Sequence, residues 1–301
     1  MTPQSFAPVA CFGEILWDLL PSGRRLGGAP FNVCYHLGQL GLPARMISCL
    51  GDDPSGADVR ALLAEQQLPA SYVQTVQHAP TGYVFATEVA PQEMQYEIVE
   101  DVAWDEIGIT PEAIQLVDSA PYFVFGSLVA RGATSRATLF ALLEAAQRPV
   151  FDVNLRPPFY SEPLIHSLLE KTSILKINEN ELTILADWFG LKGSTGQQLE
   201  ALASRYSLEE ILLTRGAHGA MAWKEGQHWS CEGIPTKVAD TVGSGDAFLA
   251  AYLTSSTAGA PIPQRLEAAN RLAAWVTQWH GGCPPYDDHV LHRFKLSIIK
   301  T

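Results

Sequence analysis

Short, nearly unbroken apolar runs recur along the chain at Met46–Leu50, Tyr122–Gly126, Val150–Val153, Ile174–Ile177 and Ile211–Thr214. Runs of this kind read as strands buried on both faces, and segments between them, such as Ala133–Gln147 and Glu179–Phe189, carry apolar residues at helical spacing. Leu40-Gly41-Leu42-Pro43 closes a helix begun near Pro30, and Ala258-Gly259-Ala260-Pro261 closes one begun at Gly245. This β-α-β rhythm predicts an α/β fold with a mostly parallel central sheet covered on both faces. One region breaks it: Gly82–Val89 and Gln95–Glu100 read as antiparallel strands joined by a loop containing Pro91, with no helix between them. Together with the segment around Trp17–Arg25 this hairpin predicts a small β-sheet lid, from roughly 14–28 and 80–105, over the carboxyl ends of the parallel strands, where open α/β sheets bind ligands. An ordinary edge hairpin is the alternative. No repeat, low-complexity tract or charged linker divides the chain, so 1–301 reads as a single domain with a lid.

Composition narrows the partners. With 301 residues, 47% hydrophobic and 17% charged, there is ample material for a core and no case for disorder. The net charge of −12 is spread over the whole length without a basic patch, which speaks against nucleic acid and anionic membranes. An anionic ligand must then be held by N–H dipoles, a few arginines and a divalent cation. Five cysteines, odd in number, widely spaced and never in a C-x-x-C arrangement, suggest reduced thiols. The N-terminus has no basic region followed by an apolar core, and the apolar runs are too short to cross a bilayer, so the expected compartment is cytoplasmic.

The chemistry concentrates at Asp240-Thr241-Val242-Gly243-Ser244-Gly245-Asp246, which runs directly into the apolar helix from Ala247. Backbone N–H groups of Gly243, Ser244 and Gly245 at a helix N-terminus make an anion site, and Asp246 places a carboxylate in it that can take a proton from an attacking hydroxyl. A kinase is the natural reading. No G-x-x-x-x-G-K-[ST] is present, and Gly243-x-Gly245 continues to Phe248 in place of a third glycine, against a P-loop and a dinucleotide fold. Gly27-Gly28-Ala29-Pro30-Phe31-Asn32, preceded by Gly13-Glu14 and Asp18, offers short rigid polar groups suited to a polyol; alone, Gly27-Gly28 would be a tight turn and Asn32 a helix N-cap. Asp152-Val-Asn154-Leu-Arg156 and Asn178-Glu179-Asn180-Glu181 put polar groups at strand carboxyl ends. There Arg156 can pair with phosphate and Asn178 with Glu181 can hold hydrated Mg²⁺, or the two glutamates simply favour a helix start. Thr214-Arg215-Gly216-Ala217-His218-Gly219 offers a hydroxyl and N–H groups to a nucleotide, or is a plain turn. His289 and His292, at i,i+3 in a polar tail, lack a third metal ligand.

Taken in order, these clusters resemble the PfkB, or ribokinase-like, family of carbohydrate kinases over nearly the whole chain. Gly27-Gly28-x-x-x-Asn32, Gly38 and Gly51-Asp52-Asp53-x-x-Gly56 are similar to the N-terminal signature, and Asp240-Thr241-x-Gly243-x-Gly245-Asp246 to the C-terminal one. The resemblance implies a three-layer α/β/α domain with a β lid, phosphorylation of a sugar by ATP, and Asp246 as catalytic base with the N–H groups of Gly243, Ser244 and Gly245 as anion hole. It implies sugar contacts from Asp18, Gly28, Asn32 and Arg156, and Mg²⁺ with its waters at Asn178 and Glu181. Thr214, Gly216, Gly219 and Asn270 would then contact ATP, with K⁺ beside Asp240 and Thr241, and the lid face would support a homodimer. Gly13-Glu14-Ile15-Leu16-Trp17-Asp18-Leu19-Leu20-Pro21 joined to Gly27–Asn32, with Asp152-x-Asn154-x-Arg156, most resembles the fructokinases of this family, ahead of kinases of 2-keto-3-deoxygluconate, ribose or nucleosides. Arg215, where the family is usually apolar, and Cys34, where it is usually small, depart from the pattern. A non-catalytic sugar or nucleotide sensor and a dinucleotide-dependent oxidoreductase are the readings from other classes.

Overall fold

The structure is a computed structural model that describes residues 6–20, 23–90, 93–287 and 290, without the side chains of 86–96. Among these residues, nine strands form the central sheet: β1 (Val9–Phe12), β4 (Ala44–Gly51), β5 (Val73–Val76), β8 (Phe123–Gly126), β9 (Pro149–Asp152), β10 (Ile174–Asn178), β11 (Glu210–Thr214), β12 (Ala220–Lys224) and β13 (Gln227–Cys231). Four more, β2 (Leu16–Leu20), β3 (Gly23–Gly27), β6 (Gly82–Ala90) and β7 (Glu93–Ile98), form a separate small sheet. The helices are α1 (Ala29–Gln39), α2 (Pro54–Glu65), α3 (Pro111–Ser119), α4 (Ala133–Leu143), α5 (Glu162–Leu169), α6 (Glu179–Phe189), α7 (Thr195–Tyr206), α8 (Ser244–Thr257) and α9 (Ile262–Val276).

The central sheet runs β13-β12-β11-β10-β9-β8-β1-β4-β5, parallel from β11 to β5, with β12 and β13 antiparallel at one edge. Strand order reverses at β1, which lies between β8 and β4. Both faces of the sheet are buried because alternate residues of each strand enter different cores. Val9, Cys11, Val124, Val150 and Leu212 pack with α1, α2, α8 and α9, whereas Ala10, Phe12, Phe125, Phe151 and Leu213 pack with α3 to α7. A period of two in a continuously apolar run therefore distributes side chains to two layers of helices. Helix α8 is buried on all sides from Asp246 to Ser255, which explains an apolar run with no polar stripe.

The small sheet has the order β3-β2-β6-β7, and β2 pairs with β6 in parallel, so the two predicted segments are woven together. β7 begins and ends two residues before the predicted Gln95–Glu100, and the predicted turn at Pro91 lies outside the described residues, as do His289 and His292. At the root of β6, Asp53 caps α2 by accepting the Gly56 N–H at 2.7 Å and also accepts the N–H and hydroxyl of Thr81 at 2.7 and 2.8 Å. The Gly51–Gly56 signature is thus a staple between the two sheets. Of the two departures noted in sequence, Cys34 is buried in the core beside Cys11, and Arg215 folds back to donate to the His218 carbonyl at 3.0 Å. No helix among the described residues is long and apolar enough to cross a membrane.

Phe125 on β8 and Phe151 on β9 are cross-strand partners with ring centroids 5.0 Å apart, both fully buried. Phe125→Ala is expected to lower stability by about 3–5 kcal/mol in urea titration through the cavity it leaves; a loss below about 1 kcal/mol would mean that the layer repacks freely.

Candidate active site

Polar side chains converge where the parallel strands end. β1 leads into Gly13-Glu14, β9 ends at Asp152, β10 carries Lys176 and ends at Asn178, and the N-terminus of α8 faces them. These groups gather at the carboxyl ends of the strands on the side of the strand-order switch at β1, the end at which open α/β sheets hold ligands.

Asp246 occupies the first turn of α8, 8% exposed. Burial pushes its carboxyl up to about 6, Asp152 adds repulsion, and Lys176, Asn32 and Arg156 oppose the rise. Asn32 donates its amide N–H to Asp246 Oδ2 at 2.8 Å, while its carbonyl oxygen accepts the Cys283 thiol at 3.1 Å. An amide held at both ends has one orientation, and it offers the Asp246 carboxylate a donor. Asn32 is not the helix N-cap; Gly28 is, with φ 112°, and Asn32 sits a turn inside α1 with its own N–H bonded to the Gly28 carbonyl. A Cβ on Gly28 would stand 2.3 Å from the Glu14 carbonyl oxygen, so glycine is required there by both conformation and space.

At the turn expected to form an anion hole, one donor differs from the sequence expectation. The Ser244 N–H bonds to the Thr241 carbonyl at 3.3 Å, so the turn itself consumes that donor. The N–H groups of Gly243, Gly245 and Asp246 have no acceptor among the described residues, and α8 has no side-chain cap. Gly243, at φ 75°, packs so closely on Gly282 that a Cβ would stand 2.3 Å from its Cα. An uncapped, positively polarised helix end beside a buried lysine fits a phosphoryl group.

Asp18 on β2 lies over this end. Burial pushes it up to about 6, helped by repulsion from Asp240, and Arg156 counteracts this. Its carboxyl has no hydrogen-bond partner among the described residues, which leaves it free for a ligand hydroxyl. Arg156 is exposed and donates to the Leu155 carbonyl at 3.2 Å; its charge is felt by Glu14, Asp18 and Asp246. Asp240 spends both oxygens on N–H groups, of Val242 and Gly281, each at 3.0 Å.

Asn178 and Glu181 form a capping box: Asn178 Oδ1 accepts the Glu181 N–H at 2.9 Å and Glu181 Oε2 accepts the Asn178 N–H at 2.8 Å. Glu181 Oε1 accepts the Leu155 N–H at 3.1 Å, so neither residue is free to wrap a metal, and each can reach one only with its remaining lone pairs. Thr214 donates to the Ile177 carbonyl at 3.4 Å, and Asn270 on α9 donates to the Glu232 carbonyl at 3.2 Å. Gly216 opens to free space, whereas Gly219 is a packing glycine: a Cβ there would meet the Cys231 carbonyl oxygen at 2.0 Å.

Sequence reasoning gave no role to Glu14, Lys176 or Cys283. Glu14 is 2% exposed; its Oε1 accepts the Ala29 N–H at 3.1 Å, its Oε2 is buried with no partner among the described residues, and burial pushes it up to about 7. Lys176 and Asp152 could have been suspected as charges inside apolar strands, which are paired when buried. Nothing local announces Cys283, which meets Asn32 across 251 positions.

The model of the pfkB family carbohydrate kinases matches residues 22–289, nearly the whole chain. The chain belongs to that family. A fructokinase of Klebsiella pneumoniae is 28% identical over 270 residues, covering 85% of this chain and 86% of its own length. The fold is shared with a Vibrio cholerae fructokinase solved with fructose, ADP and potassium ion (TM-score 0.81, 22% identity, 96% of this chain and 98% of that one). It is shared equally with a 2-dehydro-3-deoxygluconokinase of Thermotoga maritima (TM-score 0.82, 19% identity, 97% and 99%). This carbohydrate kinase therefore has a nine-stranded, mostly parallel sheet between helices and a small separate sheet, with the polar cluster at the strand ends.

The buried carboxylate has a measurable cost. Asp246 titrates at 3.8 when unperturbed and at about 6 when folded, so the native state is favoured by its protonated form below 3.8 and loses that advantage as pH rises through 6. Asp246→Asn is expected to be more stable than the unaltered protein at pH 7 by about 1–3 kcal/mol, the gain shrinking towards zero near pH 4. Urea denaturation at both pH values checks this, and equal gains at the two would show that burial does not disfavour the charge.

Proposed function

We propose that this chain is an ATP-dependent fructokinase that moves the γ-phosphate of ATP to a hydroxyl of fructose. The observation that carries the reading is the Asp246 carboxylate, buried at the uncapped N-terminus of α8 and oriented by Asn32 beside the unspent N–H groups of Gly243 and Gly245. Asp246, with a raised affinity for protons, takes the proton of the attacking hydroxyl, and the N–H groups and helix dipole stabilise charge on the transferring group. Asp18, Gly28, Asn32 and Arg156 hold the sugar. Asn32 does so with whatever hydrogen-bonding capacity Asp246 and Cys283 leave it, and Asp18 with a carboxyl that has no other partner among the described residues. Thr214, Gly216, Gly219 and Asn270 border the nucleotide. Asn178 and Glu181 would meet magnesium carried by ATP through water, and the ion would supply charge neutralisation. Asp240 and Thr241 border a K⁺ site, in line with the potassium ion of the Vibrio cholerae structure. The small sheet closes over the sugar to exclude water, and its exposed Phe85 supports a homodimer through that face.

Fructose is favoured because curated relatives across most of the chain are fructokinases, and because Gly13–Pro21, Gly27–Asn32 and Asp152-x-Asn154-x-Arg156 resemble the fructokinase pattern. The Thermotoga maritima fold neighbour makes 2-keto-3-deoxygluconate the second substrate to test. An ADP-release assay with MgATP, with and without K⁺, against fructose, 2-keto-3-deoxygluconate, ribose and adenosine is expected to show turnover on fructose. Asp246→Asn should lower kcat by about 10²–10⁴-fold with ATP affinity little changed. Turnover on another sugar would reassign the substrate, and full turnover by Asp246→Asn would remove the base.

A further inference from the structure

Lys176 is a lysine in the middle of a buried strand, 6% exposed, and its ammonium donates to both carboxylate oxygens of Asp152 at 2.9 Å. Two of its three N–H bonds are thereby used; the third has no acceptor among the described residues. The position of that ammonium is unusual. A Cβ added to Gly245 would stand 2.8 Å from Lys176 Nζ, so the charge lies against the first turn of α8. Helix N-termini carry partial positive charge and favour anions, so stability alone would not put a cation there. Asp152 offsets part of the conflict, but a well-packed apolar pair in the same volume is often as stable as a buried ion pair or more so. The bidentate pairing with Asp152 holds the group as a buried ammonium.

We propose that Lys176 is a further component of the anion hole, adding a fixed positive charge beneath the Gly245 N–H that is matched only when the transferring phosphoryl group arrives. Asp152 is its resting counter-ion, holding the ammonium in place while the site is empty and keeping it from pairing with Asp246. The conflict between cation and helix end is relieved by the charge that builds on the phosphoryl oxygens, and a contact that strengthens in this way acts on the rate more than on substrate binding. The inference rests on the phosphoryl transfer proposed above.

The test compares Lys176→Met/Asp152→Leu, which removes both charges together, with Lys176→Met and Lys176→Arg. The double variant is expected to melt no lower than the unaltered protein and to bind sugar within about threefold, yet to turn over at least about 100-fold more slowly. Its affinity for ADP with aluminium fluoride, a mimic of the transferring group, should fall by a similar factor, and its affinity for ADP alone by much less. Lys176→Arg, which keeps the charge, should recover at least a tenth of the lost rate. Turnover of the double variant within about threefold of normal, or equal losses of affinity for ADP and for its aluminium fluoride complex, would overturn the proposal and leave Lys176 as a mere counter-ion. Should the double variant not accumulate, Lys176→Met carries the same two binding measurements. No sugar-dependent turnover in the unaltered protein would remove the phosphoryl-transfer reading itself, and this proposal with it, whereas loss of turnover in Asp246→Asn with normal turnover in the lysine variants would remove only this one.

Discussion

A carboxylate withdrawn from water at the start of a buried helix is the constraint to which the rest of this molecule answers. Asp246 is tolerated there because the dipole of α8 points its positive end at it and because Asn32 gives it a hydrogen bond. Burial outweighs what opposes it, and the carboxyl is pushed up to about 6. The partial compensation suits the role proposed for it: a carboxylate whose charge was fully satisfied would have no reason to accept a proton. Around it the acids Glu14, Asp18 and Asp152 and the cations Lys176 and Arg156 form a cluster with charges of both signs, inside a protein whose net charge is −12. Local arrangement, and not overall charge, decides what can bind here.

Precision at this cluster comes from backbone crossings and from one short segment near the end of the described chain. Gly281 donates to Asp240, Gly282 presses on Gly243, Cys283 fixes the Asn32 amide, and the Pro284 carbonyl accepts the Tyr35 hydroxyl at 2.7 Å. His36, fully buried and lowered to about 4 by that burial, donates Nε2–H to the Gly282 carbonyl at 2.8 Å, which leaves Nδ1 to accept the Tyr286 hydroxyl at 2.7 Å. Helix α1 and the turn before α8 are thus held in register by one strap. An amide placed by packing and hydrogen bonds at both ends is preorganised at no further entropic cost when substrate enters.

How much of this was legible in sequence follows from how local each signal is. The strands β4, β8, β9, β10 and β11 declared themselves by unbroken hydrophobicity, and α8 by the glycines before it, because period and punctuation are written within a few residues. The pairing of β2 with β6 was legible only as two segments of one small sheet; their parallel register depends on chain far apart in sequence. Among site residues, Asp246 was readable because helix, glycines and carboxylate are contiguous. Asn32 was ambiguous, since an amide after a glycine pair also describes an N-cap, and only the crossing of α1 and α8 shows that it faces the base. For Asn178 and Glu181 the spacing that suggests a hydrated ion is also that of a capping box, and the structure displays the capping box. Lys176 offered a signal that propensity reasoning passes over, a charge in the middle of an apolar strand.

The strap has a consequence for how the molecule is made. The contacts around the Asp246 carboxylate span 214 positions from Asn32 to Asp246, 246 from His36 to Gly282 and 251 from Asn32 to Cys283. A chain emerging from a ribosome can complete the sheet around β1 and β8 long before residue 283 exists, but it cannot set the Asn32 amide. Loop-closure entropy on this scale also makes such contacts late ones in refolding. Assembly of the fold and arming of its chemistry are therefore separate events in time, and a nascent or prematurely terminated chain can be compact without being competent.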